Sequence, residues 1–588
     1  MTGAPIRSLL VANRGEVAVR VIRAAHEMGI RAVAIYSEAD AGALWVRRAD
    51  AARCIGPAPA RQSYLDIAAI IAAALDAGCD AVHPGYGLLS ENADFAQAVA
   101  DAGLRFVGPS PAAIVTLGDK VAARRAAVAA GVPVLPGSED AVGDADEALR
   151  VAESIGWPVA VKASFGGGGR GMRIARDRSA LGQALAQARG EAGAAFGRDE
   201  VFIERYLDRP RHVEVQVLGD QQGTIIHLGD RDCSVQRRHQ KLMEEAPAAN
   251  LPHALRAAMH EAALRLSRHV GYHSAGTVEF LVDAQGKGFF FLEMNTRLQV
   301  EHGVTELVTG VDLVKAQIAI AGGAPVPLAQ EDVRVSGHAI QARIAAEDVA
   351  NGFRPSPGPI RRLRLPLGPW LRFDFGFEEG DAVSPHYDSM FGKVQAWGAT
   401  RDEARIRLGL ALRELDVTGV PTTARYLSRL TGEPDFAAMA HDTGSAERDW
   451  PPRQNDSPAS LPPAPAAGSQ GRRVVVPWGA ADTTVAIHGR RDDSARAAVR
   501  RAVREAGGEA RPSEGPGRIA APMDAVVARI SVAVGAEVST GDELLVLEAM
   551  KMEMPITAVR AGRVAAISAA AGQAVRAGAI LIMLEQAP

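Results

Sequence analysis

Apolar runs and helical patterns alternate along the N-terminal part of the chain. Strands are predicted over residues 8–12, 31–37 and 80–85, with helices from residue 15 to near Gly29 and over 64–78. Strands that alternate with helices favour a doubly wound parallel sheet, whose ligands bind at the carboxyl ends of the strands. The segments ANRGE (12–16) and HPGYGLLSEN (83–92) fall at those ends.

The pattern changes after Gly118, where short strands with turn residues between them predict an α+β unit. These strands are predicted over residues 157–164, 200–207, 211–219, 223–247, 276–282 and 288–302. A third unit of mixed type covers about residues 334–445. Several domains are expected, because one hydrophobic core does not extend over 588 residues.

A segment rich in proline, alanine and serine follows these units. Residues 451–471 (PPRQNDSPASLPPAPAAGSQG) have the composition of a linker. A hairpin is predicted over 473–489 and a basic helix near 495–505. We interpret this stretch as a partly ordered connector. The alternative is a surface that docks a partner.

The C-terminal part contains an internal repeat. The segment GAEVSTGDELLVLE begins at Gly535, and GQAVRAGAILIMLE begins at Gly572, 37 residues later. VVARI (526–530) matches RVAAI (563–567) at the same offset. Two copies of one short-strand pattern predict two similar halves of a small, flattened, all-β barrel. Lys551 lies where the halves join, on a predicted tight hairpin.

Composition and charge exclude several classes of protein. The net charge of −4 argues against bulk affinity for nucleic acid or an anionic membrane. Apolar runs stay below the roughly 18 residues that a membrane span needs, and the N-terminus lacks the pattern of a signal peptide. The three cysteines, Cys54, Cys79 and Cys233, are far apart and lack metal-binding spacing, which predicts reduced thiols in a cytoplasmic protein.

The glycine-rich segment FGGGGRGM (165–172) directly follows a predicted strand. It satisfies the G-x-G-x-x-G pattern of dinucleotide-binding folds, but it lies in the middle of the chain and has arginines close by. A loop of this composition can fold over a polyphosphate and direct backbone N–H groups at its oxygens. Lys162 and Lys120 would add positive charge for phosphates. A flexible surface loop is the alternative.

The segment FLEMNTRLQVEH (291–302) has polar residues at every second position: Glu293, Asn295, Arg297, Gln299 and Glu301. In an extended backbone such positions share one face. The row indicates a substrate-binding trough, and a surface ladder of ion pairs is the alternative. Glu279, on a predicted neighbouring strand, is expected to hold Mg²⁺ or Mn²⁺ together with Glu293.

Lys551 is flanked by methionines in EAMKMEM (548–554). An exposed pair of apolar side chains beside a lysine requires a partner surface. Together with APM (521–523) and the repeat, this segment resembles the biotin carboxyl carrier family, which implies covalent biotin on Lys551. Lipoyl domains have a similar fold, but their lysine has acidic or small neighbours, so biotin is favoured over lipoate.

The larger part of the chain resembles biotin carboxylases of the ATP-grasp superfamily. The resemblance rests on motifs in a fixed order: ANRGE, HPGYGLLSEN, GDK (118–120), VKASFGGGGRGM (161–172), RDCSVQRRHQK (231–241), EMNTRLQVEH (293–302) and ARIAAED (342–348). The domains it implies are a Rossmann-like N-terminal domain (1–118), an ATP-grasp domain (119–332), an α+β C-terminal domain (333–445), a linker or partner-docking segment (446–514) and the biotinyl barrel (515–588).

The resemblance also implies roles for individual residues. ATP contacts are implied for Lys120, Lys162, Gly167, Gly168, Gly169, Glu204 to Leu207, His212 and Gln236. Metal ligands are implied at Glu279, Glu293 and Asn295, and bicarbonate contacts at Arg297, Gln299 and Val300. The implied catalytic set is Glu301 as general base, Lys241 beside the carboxyphosphate intermediate, Arg343 beside the enolate of biotin, and Arg297. Bicarbonate is a poor nucleophile until it is deprotonated, which explains a carboxylate base beside a guanidinium.

Four positions depart from the family pattern without removing a catalytic group. Gln341 stands where the family often has Glu, two residues before Arg343 and on the same face of a strand. Gly303 replaces a usual Pro and is expected to loosen the backbone beside Glu301. The other two departures are Leu88 in place of Phe and Ser389 in place of Pro.

The complete arrangement resembles the alpha chain of biotin-dependent acyl-CoA carboxylases. It implies a separate carboxyltransferase (beta) subunit, acetyl- or propionyl-CoA as acceptor, and modification by biotin protein ligase. It also implies a homodimer of the carboxylase part within a larger hetero-oligomer. The alternatives are a carboxylase for another acceptor, an ATP-grasp ligase with a lipoyl-like carrier, and a catalytically inactive carrier scaffold.

Overall fold

The computed structural model describes residues 5–138, 140–164, 172–196, 198–456, 473–478, 481–486, 517–549 and 552–585. Two units are distinguished by their internal contacts, Met1–Ser457 and Pro458–Pro588. The predicted glycine loop with Gly167, Gly168 and Gly169, most of the predicted linker, and Lys551 lie outside the described residues.

The first apolar runs form the parallel sheet that the sequence predicts. Its strands are β1 (Ser8–Val11), β2 (Arg31–Tyr36), β3 (Ala51–Cys54), β4 (Ala81–His83) and β5 (Arg105–Phe106), in the order β3-β2-β1-β4-β5. Its helices are α1 (Gly15–Glu27), α2 (Leu44–Arg48), α3 (Ile67–Asp76), α4 (Ala93–Asp101) and α5 (Pro111–Gly118). The strand order reverses at β1, where such sheets place their ligands.

The two motifs at this edge of the sheet are joined by the side chain of Asn13. Its amide donates to the carbonyl oxygens of Pro84 at 2.6 Å and Tyr86 at 2.8 Å. Gly85 has φ +63°, and a Cβ there would lie 2.9 Å from the Asn13 amide nitrogen, so glycine is required on both grounds. The ANRGE and HPGYG segments therefore form one structural element.

Along the chain, α6 (Lys120–Ala129) follows the parallel sheet, and a three-stranded antiparallel sheet with its own helices comes next. This sheet and its helices comprise α7 (Ala145–Ile155), β6 (Val159–Ala163), β7 (Met172–Ala175), α8 (Arg178–Phe196) and β8 (Val201–Arg205). The strand order is β7-β6-β8. The apolar side chains of α7, α8 and the strands form a small core of their own, which gives this part independent packing.

An eight-stranded antiparallel sheet forms the centre of the first unit. Its strands are β9 (Arg211–Gly219), β10 (Ile225–Arg237), β11 (Gln240–Ala246), β12 (Ser274–Val282), β13 (Phe289–Asn295), β14 (His338–Ala345), β19 (Leu371–Phe375) and β21 (Met390–Gly398), in the order β13-β12-β9-β10-β11-β14-β21-β19. The sheet crosses the predicted boundary at residue 332, because β11 pairs with β14. That boundary stays a prediction.

Helices and short strands surround this sheet. The helices are α9 (His253–His269), α10 (His302–Thr309), α11 (Leu313–Ala321), α12 (Arg401–Glu414), α13 (Ala424–Leu430), α14 (Pro434–Ala437) and α15 (Ser445–Arg448). The short strands are β15 (Glu347–Asp348), β16 (Arg354–Pro355), β17 (Gly358–Pro359), β18 (Arg362–Arg364), β20 (Ala382–Val383) and β22 (Asp416–Thr418). In the described ranges, no helix combines the length and apolarity that crossing a membrane requires.

The second unit contains the predicted hairpin, β23 (Arg473–Trp478) with β24 (Ala481–Ala486), and the barrel. The predicted basic helix lies outside the described residues. The barrel strands are β25 (Arg518–Ala520), β26 (Ala525–Ile530), β27 (Glu537–Val538), β28 (Glu543–Ala549), β29 (Met552–Thr557), β30 (Gly562–Ile567), β31 (Ala574–Val575) and β32 (Ile580–Glu585). They form two four-stranded sheets, β25-β32-β30-β27 and β29-β28-β26-β31, around one apolar core.

The sequence repeat is a structural repeat. Strands β26, β27 and β28 begin 37 residues before β30, β31 and β32. The last residue of β28, Ala549, pairs with the first of β29, Met552, so these strands form the hairpin that the sequence predicts. The prediction of a flattened barrel with two similar halves is confirmed.

Candidate active site

Buried polar side chains converge on one face of the large sheet. His212, Glu214 and Gln216 alternate along β9 and therefore point to the same face. Arg231 of β10 is completely buried and donates to Glu214 at 2.6 Å and to Gln216 at 2.7 Å. Buried charges are tolerated when they are paired and hydrogen-bonded, so this row forms a fixed polar floor.

Lys241 lies at the centre of this face. Its Nζ atom is 2.6 Å from Glu214 Oε2, 2.7 Å from Glu279 Oε1 and 2.8 Å from Glu301 Oε1. An ammonium has three N–H donors, and each one here points to a different carboxylate. Burial alone would lower the pKa of Lys241, but Cys233 and the surrounding glutamates raise it well above its usual value, so the side chain stays charged.

Glu301 occupies the N-cap position of α10 and is completely buried. One oxygen accepts from Lys241 at 2.8 Å, and the other accepts from Arg343 Nη2 at 2.9 Å. Burial would raise the pKa of Glu301, but Lys241, Arg343 and Arg231 outweigh it and hold that pKa well below its usual value. The carboxylate is therefore ionised and clamped between two cations.

Arg343 of β14 is held from its other side by Glu244 of β11. Its Nε donates to Glu244 Oε1 at 2.5 Å. The second oxygen of Glu244 accepts from Gln341 Nε2 at 3.0 Å. Gln341 thus places a neutral amide beside Glu244. A glutamate at position 341, which is frequent in the family, would place a second carboxylate there.

Glu279 and Glu293 lie directly opposite each other on β12 and β13. Glu279 accepts from Asn295 at 2.8 Å and from Gln299 at 3.1 Å. Glu293 has no hydrogen-bond or ion-pair partner within the described part of the chain, and burial and then the Glu279 carboxylate raise its pKa. Two facing carboxylates and an amide oxygen are the ligands that Mg²⁺ prefers, so this donor set fits a divalent cation.

A second group of potential ligands lies beside this pair. Ligand atoms of His212, Glu214 and Glu279 are all within 4.8 Å of one another. His212 Nε2 lies 2.8 Å from Glu279 Oε2. Burial lowers the pKa of His212, but the charge and hydrogen bond of Glu279, together with the charge of Glu214, raise it above its usual value. Gln236 Nε2 lies 3.5 Å from His212 Nδ1 at the limit of a hydrogen bond, so the predicted nucleotide and metal residues adjoin.

The remaining nucleotide candidates lie on the three-stranded sheet and on α6. Lys162 of β6 forms an ion pair with Glu204 of β8. Lys120 begins α6, and burial lowers its pKa, an effect that Glu293 opposes. Leu207 is partly buried just after β8. The roles of these residues stay predictions.

Arg297 is fixed by three neighbours. Its guanidinium donates to Glu91 at 2.9 Å, to Gln299 at 2.7 Å and to Asn295 at 3.0 Å. The carbonyl oxygen of Val300 accepts from Lys393 at 2.8 Å. The predicted bicarbonate residues therefore adjoin the metal candidates and Glu301.

The predicted extended trough is wrong in its second half. Strand β13 ends at Asn295, and Glu301 reaches the site from the start of α10. The alternation of side chains ends because the chain turns away from the sheet to enter the helix. Arg297 and Gln299 still come together through side-chain hydrogen bonds.

Five residues of the site have no role among the sequence-based predictions: Glu91, Glu214, Gln216, Arg231 and Glu244. Glu214 shares its strand face with His212, so the period of two would have identified it. Glu91 stands in the quoted HPGYGLLSEN segment, and its partner Arg297 is distant in sequence. Nothing in the local pattern distinguishes Glu244 from Glu245.

Packing explains why position 303 is a glycine, and the sequence does not reveal this reason. Gly303 lies in the first turn of α10, and a Cβ there would be 2.0 Å from Gln395 Oε1. Gln395 is completely buried and donates to Asp374 at 2.8 Å. The sequence predicts a looser backbone at Gly303, beside Glu301. In the structure, the side chain of Gln395 occupies the space that a side chain at position 303 would need.

On the carrier unit, Glu548 and Glu553 are exposed and directly opposite each other near the tip of the β28–β29 hairpin. The modification predicted for Lys551 concerns a residue outside the described ranges. The hairpin that leads to it is held by Leu547 and Ala549, which belong to the barrel core.

Comparison with protein families gives four consecutive matches. They are biotin carboxylase, N-terminal domain (residues 5–114); carbamoyl-phosphate synthase L chain, ATP binding domain (119–329); biotin carboxylase C-terminal domain (341–448); and biotin-requiring enzyme (517–584). The fold, the site and these matches define a biotin carboxylase of the ATP-grasp type joined to a biotin carrier domain.

Individual proteins extend the match over the whole chain. The biotin-dependent acyl-coenzyme A carboxylase alpha3 subunit of Mycobacterium leprae is 44% identical over 98% of both chains. The mitochondrial methylcrotonoyl-CoA carboxylase alpha subunit of Oryza sativa is 49% identical over 75% of this chain and 60% of that protein. The chain belongs to the family of biotin-dependent acyl-CoA carboxylase alpha subunits.

The fold is also similar to that of solved biotin carboxylase structures. The biotin carboxylase domain dimer of Hydrogenobacter thermophilus 2-oxoglutarate carboxylase, described with MgADP, ADP and bicarbonate, has a TM-score of 0.73 and 44% identity, over 75% of this chain and 97% of that one. The present chain is a biotin carboxylase that uses ATP, Mg²⁺ and covalent biotin. Membership of the alpha-subunit family implies a carboxyltransferase partner.

Proposed function

We propose that this chain carboxylates biotin carried on its own Lys551 and passes the carboxyl group to a separate subunit that acts on acetyl- or propionyl-CoA. Bicarbonate would first be activated by ATP as carboxyphosphate. The observation that carries the proposal is the position of Glu301 between Lys241 and Arg343. One point of the fold thus combines a carboxylate base with two cations able to hold anionic reactants.

The two ion pairs explain how Glu301 can serve as a base despite a low pKa. When an anionic reactant binds to Lys241 and Arg343, these two cations no longer compensate the charge of Glu301. Its proton affinity then rises, because desolvation without a cation favours the neutral acid. The base therefore becomes effective only once the site is filled.

The charged residues around the polar floor would bind the reactants of phosphoryl transfer. Glu279 and Glu293 would hold Mg²⁺, which when bound neutralises charge on the phosphates. Lys162 and Lys120 would contact phosphate oxygens, and His212 and Gln236 would contact the nucleotide. Arg297, fixed by Glu91 and Gln299, would clamp bicarbonate beside Glu301. Lys162 and Arg297 are already held by carboxylate or amide groups, which limits reorganisation during the reaction.

The acceptor and partners follow from relatives. The M. leprae protein, similar over its full length, is named for acyl-coenzyme A without a specified chain. Methylcrotonoyl-CoA is the second candidate acceptor, because of the O. sativa relative. Attachment of biotin by biotin protein ligase and a homodimer of the carboxylase part complete the proposal, the dimer being supported by the H. thermophilus structure.

The test follows a carboxyl label. The full chain, produced together with biotin protein ligase, is incubated with MgATP and labelled bicarbonate, and label on the polypeptide is measured. Label is expected on the native chain and not on Lys551→Ala, which should still hydrolyse ATP when free biotin is added. Absence of label on the native, biotinylated chain overturns the proposal. Transfer of label to acetyl-, propionyl- or methylcrotonoyl-CoA by the co-purified partner subunit then identifies the acceptor.

A further inference from the structure

Four polar side chains lie directly opposite one another across four neighbouring strands of the large sheet. They are Glu244 of β11, Gln341 of β14, Gln395 of β21 and Arg372 of β19. Residues paired in this way point to the same face of a sheet. Glu244, Gln341 and Gln395 are all buried, so their hydrogen bonds determine which charges this face can carry.

Glu244 depends on two donors. Oε1 accepts from Arg343 at 2.5 Å, and Oε2 accepts from Gln341 at 3.0 Å. These are its hydrogen-bond donors within the described residues, and the side chain is 0% exposed. The orientation of the Gln341 amide is fixed, because only its nitrogen can donate to a carboxylate.

Arg343 is shared between Glu244 and Glu301. Its Nε and Nη2 atoms lie at 2.5 Å from Glu244, and Nη2 also lies at 2.9 Å from Glu301. A second carboxylate beside Glu244 would compete with Glu301 for the same guanidinium. The charge at position 341 therefore bears on the residue at the centre of the proposed chemistry.

We propose that Gln341 is a positioning residue for Arg343: as a permanently neutral donor, it holds the Glu244 carboxylate so that Arg343 stays directed toward Glu301 at every working pH. This inference rests on the proposed function, in which Arg343 and Glu301 act on reactants. A glutamate at position 341 could donate to Glu244 only while protonated. The glutamine reproduces that protonated state and cannot lose it.

Other charged groups around Glu244 do not supply this donor. Arg343, Glu301 and Lys241 face it within the site, with Cys233 close to the same cations. Asp232, Glu245 and His441 line a narrow gap that Glu244 also borders. Lys393 of β21 is directly opposite Arg343 but is engaged by Glu16 at 3.1 Å and the Val300 carbonyl at 2.8 Å.

The decisive experiment compares pH profiles. Gln341→Glu places two buried carboxylates within hydrogen-bond distance, and such a pair shares a proton that is lost as pH rises. The quantity compared is the rate of biotin-dependent ATP hydrolysis by the variant divided by the rate of the native chain. At pH 6 we expect the two rates to agree within about threefold. The ratio should fall by about tenfold or more by pH 9, as the second negative charge draws Arg343 from Glu301.

A matched control lies in the same row of the sheet. Gln395 is also a buried glutamine that donates to a carboxylate, Asp374, at 2.8 Å, and within the described residues it forms no hydrogen bond with Arg343. Gln395→Glu should give a ratio that does not vary with pH. The melting temperature of each variant, measured at each pH, ensures that only folded protein is compared.

A third variant removes the donor without adding charge. Gln341→Leu leaves Glu244 Oε2 without its amide partner, so kcat should fall by about tenfold at all pH values with little change in the KM for ATP. A flat ratio for Gln341→Glu, an equal slope for Gln395→Glu, or native kcat in Gln341→Leu overturns the inference. Loss of biotin-dependent hydrolysis in the native chain would instead contradict the proposed function.

Discussion

Replacement of Glu301 by glutamine tests the proposed chemistry most directly. The substitution keeps the shape of the side chain and removes one negative charge. Lys241 keeps Glu214 and Glu279 as partners, and Arg343 keeps Glu244. Neither cation is left unpaired, so the free energy of unfolding should fall by only about 1–2 kcal/mol.

The expected effect on catalysis is much larger. Loss of a positioned general base lowers rates by about 10²–10⁴-fold, which corresponds to about 3–5 kcal/mol of activation free energy. Bicarbonate-dependent ATP hydrolysis with free biotin should therefore fall by that factor in Glu301→Gln. The KM for ATP should change little, because the nucleotide candidates lie on other elements.

The control is Glu306→Gln in the same helix. Glu306 is a buried carboxylate that also accepts from two arginines, Arg20 at 3.0 Å and Arg372 at 2.6 Å, but it contacts none of the proposed catalytic residues. This variant should lose stability and keep its turnover. If Glu301→Gln retains a rate within tenfold of the native chain, or if Glu306→Gln is equally impaired, the assignment of Glu301 as base is wrong.

Three further predictions concern packing, pH and metal. Gly303→Ala should cost about 1–3 kcal/mol of stability, because its Cβ would meet Gln395 Oε1, and adding Gln395→Ala should recover part of that cost in denaturant unfolding. Burial raises the pKa of Glu347 to about 7 despite a hydrogen bond from Ser389 at 2.5 Å. The protonated form is favoured in the fold, so this stability is complete below the ordinary pKa and is lost as pH rises through about 7. Glu347→Gln should therefore gain up to about 3 kcal/mol over the native chain at pH 8, and an equal difference at pH 5 would contradict this sign. Glu293→Gln should raise the Mg²⁺ concentration for half-maximal ATP hydrolysis about tenfold or more, and an unchanged requirement would remove Glu293 from the metal site.

Local patterns predicted much of the fold. Strands β1, β2 and β4 and helices α1 and α3 appear within a few residues of their predicted ranges, since a buried strand and an amphipathic helix each leave a periodic signature. The shorter strands β3 and β5 and the helices α2, α4 and α5 were not predicted. The repeat in the barrel was equally readable, because each half buries the same alternating positions. The trough at residues 291–302 was only half right, because period alone cannot show where a strand gives way to a helix.

The sequence by itself determined the order of the domains that match known families. It also predicted the carrier lysine and the set of acidic and basic residues near the site, because these predictions depend on neighbours within a short segment. Only the tertiary structure decided which charges meet. Lys241 contacts carboxylates from β9, β12 and the start of α10, and Arg343 is divided between Glu244 and Glu301. Such pairings join residues from separate elements of the fold, and their strength depends on burial and distance, which no local pattern contains.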